Sequence, residues 1–454
     1  MGLCYALIKG IMMKAIVIAS TIILTATAAS ALDFAGVTMP AVRVAAEAST
    51  GLESVYVLPS TQGVTMGYDA KGEGTVRWYR FSNLGGAYAE EINCTRNGNR
   101  ITAQAQNGDM GYIIEDSGTR TCYWVTDYSA HEFHAEALGF AEEQSCSQAE
   151  LTFVGEGGDI AYFSINGRRM VLSRELELVY STLVYDEESF MYNQQSVTKT
   201  FASVGNSIYT DAPLCDTEFT LTGDRFQRAW NRSVSVESGT YHAVAVEAQS
   251  RATQETRDND NEIKDGVDGL GGSAPCDITF EAIVTDAAIF REWQISRSPE
   301  FDITENTYSE LSFNYTFRDN GTSYVRFVAN NAEGTCEYAG PTYEINIGES
   351  QLDIPNAFSP QGSPGVNDEW KVSYKSLVSY ECHIFNRWGK ELFASTDPAQ
   401  GWDGKQGGKY VPAGVYFYVI KAKGADGRRY EKAGDINIIN YRQDAAGSAG
   451  DAVQ

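Results

Sequence analysis

Apolar residues along this chain come in short runs, rich in Val, Thr and aromatic side chains, with Gly, Asn and Asp between them. Runs of that kind read as strands closed by turns. Val76-Arg77-Trp78-Tyr79-Arg80-Phe81 and Cys122-Tyr123-Trp124-Val125-Thr126-Asp127-Tyr128 are two such strands, with Asn97-Gly98-Asn99 as a turn between them. Tyr241-His242-Ala243-Val244-Ala245-Val246 closes a stretch that opens with the strand around Cys146. Tyr324-Val325-Arg326-Phe327-Val328 alternates with a period of two and runs into the turn Asn330-Asn331-Ala332-Glu333-Gly334. The segment 415–420 is apolar on both faces, which predicts the central strand of a small sandwich. The pattern predicts an all-β protein built as tandem β-sandwich modules.

At roughly 100 to 200 residues per domain, 454 residues imply three or four modules. The chain starts with Lys9 and Lys14 around a basic end, an apolar run over 15–29 and the small-x-small site Ala29-Ser30-Ala31. That is the layout of a signal peptide over 1–31, too short to span a bilayer, with Met12 or Met13 as the start and Leu32 as the mature N-terminus. No Cys follows the cleavage site and no later run of 18 apolar residues occurs, so neither a lipid anchor nor a transmembrane segment is expected in the mature chain. The remaining divisions are modules over 32–131 and 132–252, an acidic Gly-rich linker over 253–272, modules over 273–350 and 351–442, and a flexible tail over 443–454. The linker reading rests on Arg257-Asp258-Asn259-Asp260-Asn261-Glu262 and the glycines that follow, with no aromatic to pack. Similar starts at Cys215 (Cys-Asp-Thr-Glu-Phe-Thr-Leu) and Cys276 (Cys-Asp-Ile-Thr-Phe-Glu-Ala) hint at internal repetition.

Composition narrows the partners. Thirty-five basic against sixty acidic residues give a formal charge of −25, which opposes nucleic acid and anionic lipid alike. A hydrophobic share of 43% with 12% aromatics is enough to build cores, so disorder is excluded. Seven cysteines remain after Cys4 leaves with the leader, and sequential pairing keeps every bridge inside one module: Cys94 with Cys122, Cys146 with Cys215, Cys276 with Cys336. Each such loop is worth about 3.5 to 4.5 kcal/mol in the chain-entropy treatment. Cys382 is left as a buried free thiol, on the same strand face as Ile384.

The third module has a Cys276, Trp293, Cys336 order that resembles an immunoglobulin-like sandwich, in which a Trp packs near the bridge between sheets. Cys336 follows the hairpin turn and no Tyr stands two residues before it, so the closer likeness is to the polycystic-kidney-disease-like (PKD-like) and Ig-like repeats of bacterial surface proteins. The fourth module carries five motifs in order. They are Pro355, Asn356, Phe358 and Pro360; Asn367 and Asp368; Phe385, Asn386, Arg387, Trp388 and Gly389; Gly401, Trp402, Asp403 and Gly404; and Pro412, Gly414 and Tyr416. Together they resemble the gliding-motility-associated C-terminal domain, the type B sorting domain of the type IX secretion system of Bacteroidetes. Gln361-Gly362-Ser363-Pro364 departs from the Asn-Gly-Asp-Gly turn usual there. The resemblance implies export through the periplasm to the cell surface or medium, with outer-membrane components of type IX secretion as partners. Burial of Phe385 and Trp388, and the turns 401–404 and 412–414, are expected to hold the domain together.

Little in the chain points to catalysis. His131-Glu132-Phe133-His134 resembles a zinc motif, but its histidines are three apart in a strand-like segment rather than four apart on a helix. Asp258, Asp260 and Glu262 alternate as calcium ligands would, yet Ile263 stands where a calcium loop needs Gly. No nucleophile elbow, P-loop or dinucleotide fingerprint occurs. No metal, cofactor or catalytic residue is assigned, and the chain is expected not to be an enzyme. Trp78, Trp124 and Trp230 read as core more readily than as sugar platforms. Three functions remain: an adhesin or interaction stalk with an extracellular protein or glycan ligand, a surface carbohydrate-binding protein, or a structural accessory of the gliding or secretion machinery.

Overall fold

The computed structural model describes residues 31–264, 269–360, 362 and 365–439. The expectations for the leader, the 443–454 tail and most of the 361–364 turn lie outside them. The regular elements of the described chain are almost all strands, 54% of residues against 3% in helix, as the short runs require.

The first module stacks a four-stranded sheet (Asp33–Ala35, Thr65–Asp69, Arg100–Gln104, Thr95–Asn97) on a six-stranded one. In the larger sheet Ser54–Leu58 lies parallel to Thr119–Asp127. Every residue of Ser54–Leu58 is buried, because both faces of this sheet are covered. Trp78 faces the sandwich core. Trp124 faces the other way, against Ile160, Tyr162, Met170, Leu172, Phe226 and Trp230 of the second module. The two modules therefore share a core.

A hairpin of Ile160–Phe163 with Arg169–Leu172 and the short helix Arg225–Ala229 carry that contact. The rest of the second module is a sandwich of a three-stranded and a four-stranded sheet with its own core, including Phe133, Leu151, Phe219 and Tyr241. Asp224 fixes the seam. It caps the helix through Phe226 N and Gln227 N, accepts from Tyr128 Oη at 3.0 Å and meets Arg174 Nη1 at 2.7 Å, both charges being buried.

The third module pairs Ala248–Gln254, Cys276–Val284 and Ser312–Phe317 against a larger sheet centred on Gly321–Asn330 and Phe290–Ser296. Trp293 is buried among Phe280, Phe313, Phe327 and Tyr343, as the Ig-like reading anticipates. Its first strand starts at Ala248, and the 253–272 segment is not a free linker. Leu270–Gly272 is a strand parallel to Tyr343–Ile347. Ile263 N donates to Tyr374 O at 2.7 Å, and Asn261 Nδ2 to Val372 O and Pro398 O at 2.8 Å. Asn261 spends its side-chain amide on fourth-module backbone and Leu270–Gly272 pairs with the third, so a segment without aromatics is docked between the two modules.

Disulfide pairing also departs from expectation. The bond joins Cys146 to Cys336, with Cα atoms 5.4 Å apart, and Cys94, Cys122, Cys215, Cys276 and Cys382 are free. Cys94 and Cys122 lie on opposite faces of the six-stranded sheet, one at each core. Cys276 sits beside Gly271, whose partner Asn346 pairs with Thr322, whereas Cys336 hangs from Asn331 at the other end of the same strand. Eight or nine residues of strand put those ends about 27 Å apart, far beyond the reach of a disulfide. Cys146 and Cys215 stand on loops tied by Ala212 N to Ser147 O, but the Cys146 sulfur turns to the third module. The bridge therefore ties the second module to the third, helped by Tyr192 Oη on Glu247 and Arg251 over the Phe190 ring.

Candidate functional site: the free end of the fourth module

The fourth module is a five-stranded sheet in the order Ala357–Phe358, Arg429–Ile438, Gly414–Gly424, Leu377–Phe385, Glu391–Ser395, faced by smaller pairs. Gly414–Gly424 is central, as its apolar pattern predicts. One end of this sheet rests on the third module: Ser376 N donates to Ser273 Oγ at 2.8 Å, Ala274 N to Ser376 Oγ, and Asn320 N to Ala425 O. From Leu377, paired with Gly424, to Phe385, paired with Phe417, the strand runs about 27 Å away from that contact.

The five motifs converge at the far end. Trp402 lies between Phe358 (5.6 Å) and Tyr416 (5.5 Å), and its backbone bonds reciprocally with Trp370. Trp370 Nε1 reaches Pro355 O and Tyr416 Oη reaches Pro412 O. Gly404 has φ +73°, and a Cβ there would stand 3.0 Å from Pro360, so the turn needs glycine. Asp403 accepts from Lys405 N and Nζ; burial opposes its charge, but those bonds hold its carboxyl below the usual range. Asn356 O accepts from Asn437, and Ser359 N donates to Asn367 O with Asn367 at φ +59°. Asp368 takes the Gly365 N–H. These residues build the end; their roles are turn and core.

Asn386, Arg387, Trp388 and Gly389 form the hairpin tip. Asn386 Oδ1 accepts from Trp388 N and Lys390 N, and Gly389 takes φ +80°. Here the expected burial is wrong. Trp388 is 78% exposed, with Arg387 4.9 Å over its ring, and Phe385 is only half-buried. The tip projects past the sheet, so an aromatic in it has no core to enter. Trp388 is not alone: Val366, Tyr410, Val415, Phe417 and Ile439 are exposed at this same end. Alternation along Gly414–Gly424 puts Val415, Phe417 and Val419 on the outer face while Tyr416 and Ile420 go inward. That apolar outer stripe is the signal the double-sided pattern held and that reading it as two buried faces passed over. Beside it His383 is held by Glu381 and Glu391, and these hydrogen bonds raise its pKa.

The other flagged groups do not gather. His131 meets Asp109, His134 meets Glu136 and His242 meets Asp216, at separate places. Asp258 turns to Lys264, Asp260 to Lys371 and Glu262 to Arg257, so the alternating carboxylates point to three different cations. Trp78, Trp124 and Trp230 are all buried.

Residues 352–438, the span over which the five motifs converge, match the family described as the CHU_C Type IX secretion signal domain. The fourth module is thus similar to a type IX secretion signal domain. Residues 139–238, most of the second module, match the fibronectin type III domain. No curated protein matches the chain. Among solved structures, the fibronectin(III)-like modules of Clostridium thermocellum CbhA align over 44% of this chain and 100% of theirs at 12% identity and TM-score 0.18. Dimeric latent PorU from Porphyromonas gingivalis aligns over 72% and 36% at 10% identity and TM-score 0.15. A Ca2+-stabilized adhesin with which an Antarctic bacterium binds ice aligns over 83% and 94% at 11% identity and TM-score 0.18. Superpositions this loose add nothing to the reading. The signal domain sends the chain to the cell surface or the medium and implies contact with the secretion machinery. Among the described residues no helix is long and apolar enough to cross a membrane.

Proposed function

We propose that the protein is a non-enzymatic interaction stalk, an adhesin in the broad sense, whose first three modules are held as one stiff cargo and whose signal domain is read at its free end by an outer-membrane component of the secretion system. The observation that carries this is the polarity of the signal domain. One end is bonded to the third module, while the other bears Trp388, Val415 and Phe417 in the open. Exposed apolar patches of this kind mark protein contacts. The shared core at the first junction and the Cys146–Cys336 bridge at the second give the stalk its stiffness. Cell fractionation tests it: a chain ending at Ser350 should accumulate folded in the periplasm. Its arrival at the surface at full level would remove the sorting role and make the fourth module one more adhesive domain.

A further inference from the structure

The outer face of the third module's larger sheet holds an open groove of about 620 Å³. Trp293 and Ile295 point into the core, so alternation turns Phe290, Glu292 and Gln294 outward. Register sets Glu292 beside Val328 and Gln294 beside Arg326, and Val328 in turn beside Ala339. The floor, Val328 and Ala339, is therefore apolar, and the wall at one end is Phe290, 59% exposed.

Across this floor runs a fixed polar ladder. Gln294 Nε2 donates to Glu292 Oε1 at 2.6 Å, and Arg326 Nε donates to Gln294 Oε1 at 2.9 Å. The Arg326 guanidinium also stacks 4.0 Å over Phe301, which holds it in place. The ladder uses one Glu292 oxygen and only the Nε of Arg326. The other carboxylate oxygen and both Nη groups make no hydrogen bond or ion pair among the described residues. Two arginines and two glutamates line the groove, so its formal charges cancel and an uncharged ligand suits it better than an ion. Pre-positioned donors and acceptors on neighbouring strands, an apolar floor and an exposed ring are the chemistry that meets vicinal hydroxyls and the C–H face of a sugar.

From this we infer that the groove binds an uncharged oligosaccharide, with Glu292 and Arg326 taking its hydroxyls and Phe290 its ring face. The proposal deepens the stalk reading by naming a ligand class for it. A groove of equal volume on the first module makes the contrast. There Arg80 spends Nε and Nη2 on Glu90 and Nη1 on Gln106, so its polar groups answer each other.

The test is native gel electrophoresis of the full mature chain through gels containing hydroxyethylcellulose, xylan, galactomannan, laminarin or soluble starch. At least one should retard the protein. Glu292→Ala and Phe290→Ala should each weaken that retardation at least tenfold while melting as the parent does, and Arg80→Ala should leave it unchanged. Should either variant unfold, Glu292→Gln, which keeps the size and loses the charge, takes its place and should weaken retardation likewise. Retardation by none of the five, or retardation that survives both groove variants, overturns the proposal. Because binding is read on purified protein, that failure leaves the export reading standing, and a failed export test leaves the groove standing.

Discussion

Two tryptophans of the signal domain should separate folding from recognition. Trp402 is 1% exposed and Trp388 is 78% exposed, although both belong to the motifs that mark the domain. Trp402→Ala removes a ring packed between Phe358 and Tyr416 and the hydrogen bond from its Nε1 to Lys405 O. Truncating a buried Trp costs about 3–5 kcal/mol, and the lost hydrogen bond adds about 1. A domain of about 90 residues has roughly 4–13 kcal/mol in all, so this one change takes much or all of its stability. Trp388→Ala touches no core and should stay within about 0.5 kcal/mol of the parent, a shift of about 2–4 °C in the domain's transition. Calorimetry of the full chain, with fractionation of cells making each variant, reads both quantities. The Trp402 variant should lose the signal domain's transition and remain in the periplasm. The Trp388 variant should keep the transition and still reach the surface in reduced amount. Equal destabilisation by the two would show that the hairpin tip is packed, and a folded Trp388 variant exported at the parent's level would take the free end out of recognition.

The seam between the first two modules should behave as core: Asp224→Ala leaves Arg174 buried and uncompensated and should cost about 3–5 kcal/mol, lowering one joint calorimetric transition rather than one of two. Two separate transitions in the parent would refute the shared core. Peptide mapping without reduction should return a Cys146–Cys336 link, and Cys276 and Cys382, whose thiols burial pushes up to about 11, should alkylate only on unfolding. A Cys276–Cys336 peptide would contradict the register of the third module. His383, raised by its bonds to Glu381 and then Glu391, contributes stability that is full below its unfolded pKa of about 6.5 and fades as pH rises through the higher folded value. Its NMR titration midpoint should lie above 6.5 and fall in Glu391→Gln; an unmoved midpoint would mean the pair is not formed in solution.

What the sequence disclosed and what it hid follow from the range of the forces involved. Strand identity is a local property, so Val76–Phe81, the Tyr324 run and the central strand at 415–420 could be read from alternation and β-branched or aromatic content alone. The motif turns were legible for the same reason, since Gly404 and Gly389 answer to backbone angles set within a few residues. Disulfide partners are not local. Keeping each bridge inside a module assumed that modules meet only through their chain ends, whereas the Asn331–Cys336 turn reaches across to the second module's Cys146 loop. The docked 257–264 segment was hidden by the same assumption: Asn261 and Glu262 are polar, as a linker's residues are, but they are spent on Tyr374, Val372 and Arg257. Trp388 failed in the opposite sense. Aromatic content predicts burial on average, but a four-residue hairpin tip has backbone on both sides and nothing beneath it, so its ring goes to solvent. The departure from the burial rule at Trp388 and along Val415, Phe417 and Val419 falls at the one end of the domain that the cargo does not cover. A sequence optimised for folding alone would place polar groups there, and breaches of local consistency concentrate where a surface has a second task.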